Sequence, residues 1–359
     1  MEVKENYQAM ELSLAINELT GKTAWRSPSN IALVKYWGKY GRQLPSNPSV
    51  SFTLKNAHTN MYLNYQPGNG QVVLFFEKER NTAFESRIAN FIKSIEDIYP
   101  FLQGLNLEIH SDNSFPHSAG IASSASAMSA LALCLCSIER QVFGSLTAED
   151  EFLQKASYLS RLASGSACRS VYPKLGQWGD HEKIQGSTNS FAIDVSDAVD
   201  PIFHTFKNSI LIASAKEKSV SSSAGHQLME NNPYAAVRFK QAKDNLAKLM
   251  SAMKEGDIDV FIQIVEEEAL TLHALMMTST PSYVLMKPNS LVLIEKIRAF
   301  REKTGLPVCF TLDAGPNLHV LYPEYIATQM QVFIKEECQL YCENGLIIED
   351  EVGEGAHKL

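Results

Sequence analysis

Between Ser123 and Arg140 the chain is built almost wholly from Ala, Ser, Leu, Met and Cys. A helix of that composition has no broad polar face to offer water, so the rest of the fold must enclose it, and its small residues let neighbouring elements pack close. It follows directly on Pro116-His117-Ser118-Ala119-Gly120-Ile121-Ala122-Ser123-Ser124-Ala125. The first N–H groups of a helix are unpaired and lie at the positive end of its dipole. Small residues such as Gly120 and Ala122 let a phosphate approach those amides, and Ser123 and Ser124 add hydroxyls for phosphate or Mg²⁺. Read alone, the same loop is also an ordinary Ser-capped helix start.

A chain of 359 residues is longer than one core usually serves, since cores stop growing near about 250–300 residues. Two domains are expected, with a boundary at Pro201: residues 1–20 as a short helical extension, then 21–200 and 201–359. Apolar residues at 45% and charged residues at 20% argue against extensive disorder. A formal charge of −8 disfavours a nucleic-acid partner, which calls for a broad basic surface. No apolar run reaches the ~18 residues of a membrane span, and residues 1–20 lack the basic start and apolar core of a signal peptide. The expectation is a cytoplasmic protein without a membrane partner. Its six cysteines show no zinc-type spacing and read as free, buried thiols.

Hydrophobic patterning gives strands near 23–26, 50–54, 61–65 and 72–76. Pro67-Gly68-Asn69-Gly70 reads as a hairpin turn joining the last two in an antiparallel region. Helical spacing follows over 87–98, then a strand over 105–109 that delivers the chain to the Pro116 loop. A helix is expected over 148–163 with Thr147 as its N-cap and Asp150 in its first turn. The second half reads as a strand at 210–213, long amphipathic helices over 233–254 and 257–277, and strands at 308–312 and 318–322 around a tight Asp313-Ala314-Gly315-Pro316-Asn317 turn.

Two further runs crowd cations and small donors. Asn30-Ile31-Ala32-Leu33-Val34-Lys35-Tyr36-Trp37-Gly38-Lys39 sets Lys35 directly after a segment apolar enough to be buried, where an ammonium needs an anion. Ser164-Gly165-Ser166-Ala167-Cys168-Arg169-Ser170 lets backbone curl round an anion while a guanidinium supplies a fork of donors. Asp313 ends an apolar strand; such an Asp is ordinarily a turn residue, and alternatively a partly desolvated carboxylate able to orient or deprotonate a hydroxyl. Ser219-Val220-Ser221-Ser222-Ser223-Ala224-Gly225 reads as a surface loop or a lid over phosphate, and His273 as a packed structural histidine.

Taken in order, these motifs resemble the GHMP small-molecule kinase superfamily and, within it, the diphosphomevalonate decarboxylases, over almost the whole length after residue 20. The Pro116 loop is shared broadly among such kinases; the other runs carry the specificity. The resemblance implies an α+β, two-domain GHMP kinase fold, with an N-terminal domain like ribosomal protein S5 domain 2 and a ferredoxin-like C-terminal domain. It also implies a homodimer, ATP with Mg²⁺, and a phosphorylated mevalonate as substrate. By the same resemblance Asp313, Arg169, Lys35 and Asn30 are catalytic, while Tyr36, Trp37, Gly38, Lys39, Arg87, Ser164, Gly165, Ser166, Ala167, Cys168, Ser222 and Ser223 meet substrate. Pro116, Ser118, Gly120, Ala122, Ser123 and Ser124 meet ATP.

The implied reaction is ATP-dependent decarboxylation of (R)-5-diphosphomevalonate to isopentenyl diphosphate, ADP, phosphate and CO₂. Some positions depart from the resembled pattern: Pro173-Lys174 replaces Gly-Gly, His117-Ser118 replaces Thr-Ala, and His226 replaces Met. Alternatives on the same scaffold are a 5-phosphomevalonate decarboxylase and a mevalonate 3-kinase, and from another class a non-catalytic nucleotide or metabolite sensor. Retention of Asp313, Lys35 and Arg169 disfavours the pure kinase.

Overall fold

The computed structural model describes Tyr7 and residues 19–116, 121–216 and 222–359, with Ser222 and Ser223 described in backbone only. The extension over residues 1–20 and the loop positions His117, Ser118 and Gly120 therefore lie almost wholly outside the described residues. The chain is α+β, with an eight-stranded sheet drawn mainly from the first half and a four-stranded antiparallel sheet from the second.

Alternation of apolar residues along Gly21–Val34 and Ser49–Pro67 makes these the long strands of the large sheet, as one face of each must be buried. The second runs through both segments expected as separate strands. Across the sheet the order is His357–Lys358, Gly21–Val34, Ser49–Pro67, Leu105–Asn113, Val72–Phe76 and Glu79–Arg80, with Leu175–Trp178 and Ala192–Asp194 added beside the start of Ser49–Pro67. The expected hairpin at Pro67–Gly70 does not form. Leu105–Asn113 inserts between the two strands, antiparallel to Ser49–Pro67 and parallel to Val72–Phe76. The turn is instead tied to that inserted strand: Gly68 N donates to Gly104 O, and Asn106 Oδ1 accepts from the amides of Asn69 and Gln71.

The helix anticipated from its small residues runs Ser123–Phe143 and is enclosed as expected, with Ala125 through Ile138 buried except Ala127. It packs against the two long strands and against the Glu149–Ala163 helix. Trp25 Nε1 donates to Ser137 Oγ at 2.8 Å, which satisfies the indole N–H inside the core. The Glu149–Ala163 helix is N-capped at Ala148 rather than Thr147, with no side-chain cap; Glu149, Asp150 and Glu151 place carboxylates at its positive end instead.

In the second half the sheet order is Cys309–Thr311, Leu318–Tyr322, Lys207–Leu211 and Ile347–Glu351, all antiparallel. The helices Ala235–Glu255, Ile258–Met277 and Pro288–Thr304 belong to this half, with Asp257 capping the second through the amide of Val260. The two halves share one apolar core: Ile31, Leu33, Val50 and Phe52 of the long strands pack with Phe203, Phe206, Leu246 and Phe261. That shared core fixes the end of the first strand against the Ile258–Met277 helix. All six cysteines are free and buried, and no described helix is long and apolar enough to cross a membrane.

Candidate active site

Lys35 follows the last residue of the Gly21–Val34 strand and is 1% exposed. Its Nζ donates to Asp313 Oδ1 at 2.9 Å and to Ala32 O at 2.6 Å, so the anion required by a buried ammonium comes from the other half of the chain. Burial holds the Lys35 pKa below its usual value, an effect that Asp313 opposes. The Lys35 backbone is clamped as well. Its N–H donates to Glu268 Oε2 at 2.9 Å, and its carbonyl accepts from Asn47 Nδ2 and Arg238 Nη2. Glu268 and Arg238 form a fully buried ion pair, to which Asn245 Nδ2 adds a bond at 2.8 Å.

Arg169 is 2% exposed and is held by neutral oxygens. Nε donates to Ser51 Oγ at 3.0 Å, Nη1 to Ser49 Oγ, and Nη2 to Asn30 Oδ1 at 3.3 Å. Ser49 and Ser51 alternate along the neighbouring strand and so face the same way. Asn30 is in turn oriented by its Nδ2, which donates to Ser166 O and to Ser170 Oγ. Its guanidinium charge therefore lacks a carboxylate hydrogen-bond partner within the described protein, the arrangement suited to an anionic guest.

Asp313 stands just past Cys309–Thr311 in a turn pinned on several sides. Its carbonyl meets His273 Nε2 at 3.1 Å and accepts from Gly315 N at 2.7 Å; Pro316 O accepts from Ser290 Oγ, and Asn317 Oδ1 accepts from Ser214 N. His273 is thus a packed histidine with a positioning contact to the turn.

A cavity of about 480 Å³ gathers these groups. Lys35, Tyr36, Trp37, Lys39, Arg87, Ala122, Ser124, Ser164, Gly165, Ser166, Arg169 and Asp313 of the sequence-derived set line it, together with Gln43, His226 and Leu272. Gly38 is buried beside it with φ +101°, and a Cβ there would fall 2.7 Å from Phe239 Cζ, so only glycine fits. Ala167 and Cys168 are wholly buried, Cys168 packing with Trp178 and Ala192; they shape the loop that presents Arg169. Asn30 reaches the cavity through Arg169. Ser123 faces a separate apolar recess lined by Met61, Leu74 and Met128, and Pro116 is exposed before the undescribed part of its loop. Side chains of Ser222 and Ser223 lie outside the described residues.

Glu268, Arg238, Ser49 and Ser51 lie outside the motifs legible in the sequence. A retrospective sign exists for the first two: Phe261, Val265, Glu268 and Leu272 share a helical face, as do Arg238, Ala242, Asn245 and Leu249, so opposite charges sit on the apolar stripes of successive helices.

Two further histidines are buried near the cavity. Burial pushes His226 down to about 3, with Lys39 adding to the effect, and pushes His319 down to about 4, with Lys35 adding and Asp313 opposing. Both are neutral in the fold and take up a proton on unfolding, so stability falls as pH drops below the ordinary value of 6.5. At pH 5 each costs about 2 kcal/mol, and the loss grows until the folded pKa is reached. Urea unfolding at pH 7 and pH 5 checks this; equal free energies would contradict it.

Among the described residues no cluster of three or more His, Cys, Asp or Glu could hold a metal. Of the side chains lining the cavity, Ser124 offers a hydroxyl oxygen, a donor type that suits Mg²⁺.

Residues 27–192 match the family model for a diphosphomevalonate decarboxylase-like N-terminal domain, and residues 209–350 match the mevalonate 5-diphosphate decarboxylase C-terminal domain. The diphosphomevalonate decarboxylase of Ganoderma lucidum is 30% identical over 338 residues, covering 86% of this chain and 80% of its own. That of Gibberella zeae is 30% identical over 322 residues, with coverage of 83% and 80%. Among solved structures, MDDEF in complex with MVAPP, AMPPCP and magnesium superposes with a TM-score of 0.81 at 25% identity, covering 95% of this chain and 99% of that one. The mevalonate diphosphate decarboxylase of Staphylococcus aureus gives 0.81 at 26% identity, covering 96% and 100%. Agreement of sequence and fold across nearly the full length places the chain in the diphosphomevalonate decarboxylase family.

Proposed function

We propose that this chain catalyses the ATP-dependent decarboxylation of (R)-5-diphosphomevalonate to isopentenyl diphosphate, ADP, phosphate and CO₂, a step of the mevalonate route to isoprenoids. The observation that carries the reading is the Lys35–Asp313 contact at 2.9 Å in the cavity that Arg169 also lines. A tertiary alcohol bearing a nearby carboxylate needs a base for the hydroxyl, a cation for the carboxylate, and charge compensation between them.

In this reading Asp313 orients the C3 hydroxyl and accepts its proton as the oxygen attacks the γ-phosphorus of ATP. Mg²⁺, when bound, neutralises charge on the nucleotide phosphates. Arg169 grips the substrate carboxylate through the N–H groups not spent on Ser49, Ser51 and Asn30. Lys35 offsets charge on the carboxylate and on the departing phosphate, its ammonium held in place through Ala32 O. Once the C3–O bond breaks, positive charge builds at C3, and the electron pair of the bond to the carboxylate becomes the new double bond as CO₂ leaves. Tyr36, Trp37, Gly38 and Lys39 form one wall for the diphosphate, with Ser164 to Arg169 the other and Arg87 at its edge. Pro116, Ala122, Ser123, Ser124 and the undescribed Ser118 and Gly120 form the ATP loop, and Ser222 and Ser223 supply hydroxyls near the γ-phosphate.

The domains divide at residues 200–201, where Pro201 breaks the chain; the absence of a signal-peptide pattern over residues 1–20 supports a cytoplasmic location, and the family resemblance supports a homodimer. Supplying ATP with diphosphomevalonate, 5-phosphomevalonate or mevalonate and following CO₂ and ADP tests the reading. The expected result is equimolar CO₂ and ADP with the diphosphate as preferred substrate. A stable 3-phosphate without gas would make the chain a kinase, and preference for the monophosphate would make it the sister decarboxylase.

A further inference from the structure

His226 touches the Tyr36–Lys39 wall from the second half of the chain. Its Nδ1 accepts the backbone N–H of Gly38 at 3.0 Å. A ring nitrogen that accepts carries no proton, so the proton of the neutral imidazole resides on Nε2. The ring is clamped between Tyr36 and Trp37, with centroids 4.4 and 4.5 Å away. It is 8% exposed and lines the cavity beside Lys39. Lys39 itself is half-buried and donates to Gln43 Oε1 at 2.7 Å. The tautomer is therefore set by a main-chain amide and the orientation by two aromatic faces, which leaves a rigid, uncharged donor at the cavity wall. With burial and Lys39 holding the ring neutral down to about pH 3, that donor persists across the neutral range.

We propose that the Nε2–H of His226 donates to the terminal phosphate of the substrate's diphosphate beside the ammonium of Lys39, making His226 a determinant of preference for a substrate with a second phosphate. The proposal rests on the function given above. It assigns to the segment after the Ser-rich run a direct part in reading the substrate's phosphate tail. The aromatic clamp removes the cost of ordering the donor on binding, which is why one neutral hydrogen bond to a charged oxygen is worth a large factor here.

The test measures dissociation constants by calorimetry for diphosphomevalonate and for 5-phosphomevalonate, on the wild-type chain and on two variants. His226→Asn keeps an acceptor where Nδ1 stands and removes the distal donor. His226→Gln keeps an N–H near the Nε2 position. The expected result is a loss of about 10- to 100-fold in affinity for the diphosphate in His226→Asn, a change under about threefold for the monophosphate, and partial recovery in His226→Gln. Unchanged affinity for the diphosphate in His226→Asn, or equal losses for both ligands, overturns the proposal, because a collapsed loop weakens both alike. Release of CO₂ by the wild-type chain is read separately. Its absence removes the decarboxylase reading, whereas CO₂ release with indifferent variants removes only the role of His226.

Discussion

Asp313→Asn lowers turnover by about 10²- to 10⁴-fold, the range general-base catalysis contributes, while the dissociation constant for diphosphomevalonate moves by no more than about threefold. The substitution is nearly isosteric, and its Oδ1 can still accept from Lys35 Nζ, so the contact seen at 2.9 Å is not what disappears. On the role proposed for Asp313, the lost property is the capacity to take the proton of the C3 hydroxyl as phosphoryl transfer proceeds. In the proposed reaction phosphorylation precedes decarboxylation, so ADP and CO₂ fall together. Single-turnover measurements with labelled ATP check it. A rate near that of the wild type would take Asp313 out of the chemistry, and ADP formed without CO₂ would place it after phosphoryl transfer.

Arg238→Met destabilises the protein by about 3–5 kcal/mol, because it strands the Glu268 carboxylate in a site where side chains are 1% and 0% exposed. Removing both charges in Arg238→Met/Glu268→Leu recovers part of that stability, since no carboxylate is left stranded, while the Lys35 N–H and Asn245 Nδ2 that Glu268 accepted from become unpaired. Activity responds differently. Glu268 Oε2 accepts from the Lys35 backbone and Arg238 donates to the Lys35 carbonyl, so the double variant leaves the Lys35 backbone held by Asn47 alone. The expected pattern is an unfolding free energy between those of the wild type and Arg238→Met, with kcat/KM reduced by about tenfold or more, in keeping with the cost of a small misplacement of a reacting group. Urea unfolding and steady-state kinetics on the two variants check it. Full activity in the double variant would show that the buried pair serves stability alone.

The positions that the sequence made conspicuous share one property: the physical conflict that marks them is local. Lys35 stood out because a charge follows directly on a buried strand, and the structure answers with Asp313. Arg169 stood out for the small residues before it, although an isolated arginine is ordinarily exposed and this one is 2% exposed. Ser49, Ser51 and Asn47 carried no such mark, since a serine on a strand looks the same whether it faces water or a guanidinium. The turn at Pro67–Gly70 shows the limit from the other side. Its residues favour reversal, and the chain does reverse, but the partner strand comes from residues 105–113. Local turn chemistry sets where a chain bends, whereas strand neighbours are decided by which faces the enclosed helix and the rest of the core must cover. The Ser123–Phe143 helix was legible for the opposite reason, as its composition allowed only one environment.

A guanidinium fixed by two serines and an asparagine keeps its full charge on offer before any substrate arrives. The cleft will accordingly draw in whatever small oxyanion the medium contains, bicarbonate and sulfate included. Buffer composition then acts as a competitor in its own right, and apparent affinities measured in different salts will disagree by amounts that track the anion rather than the ionic strength.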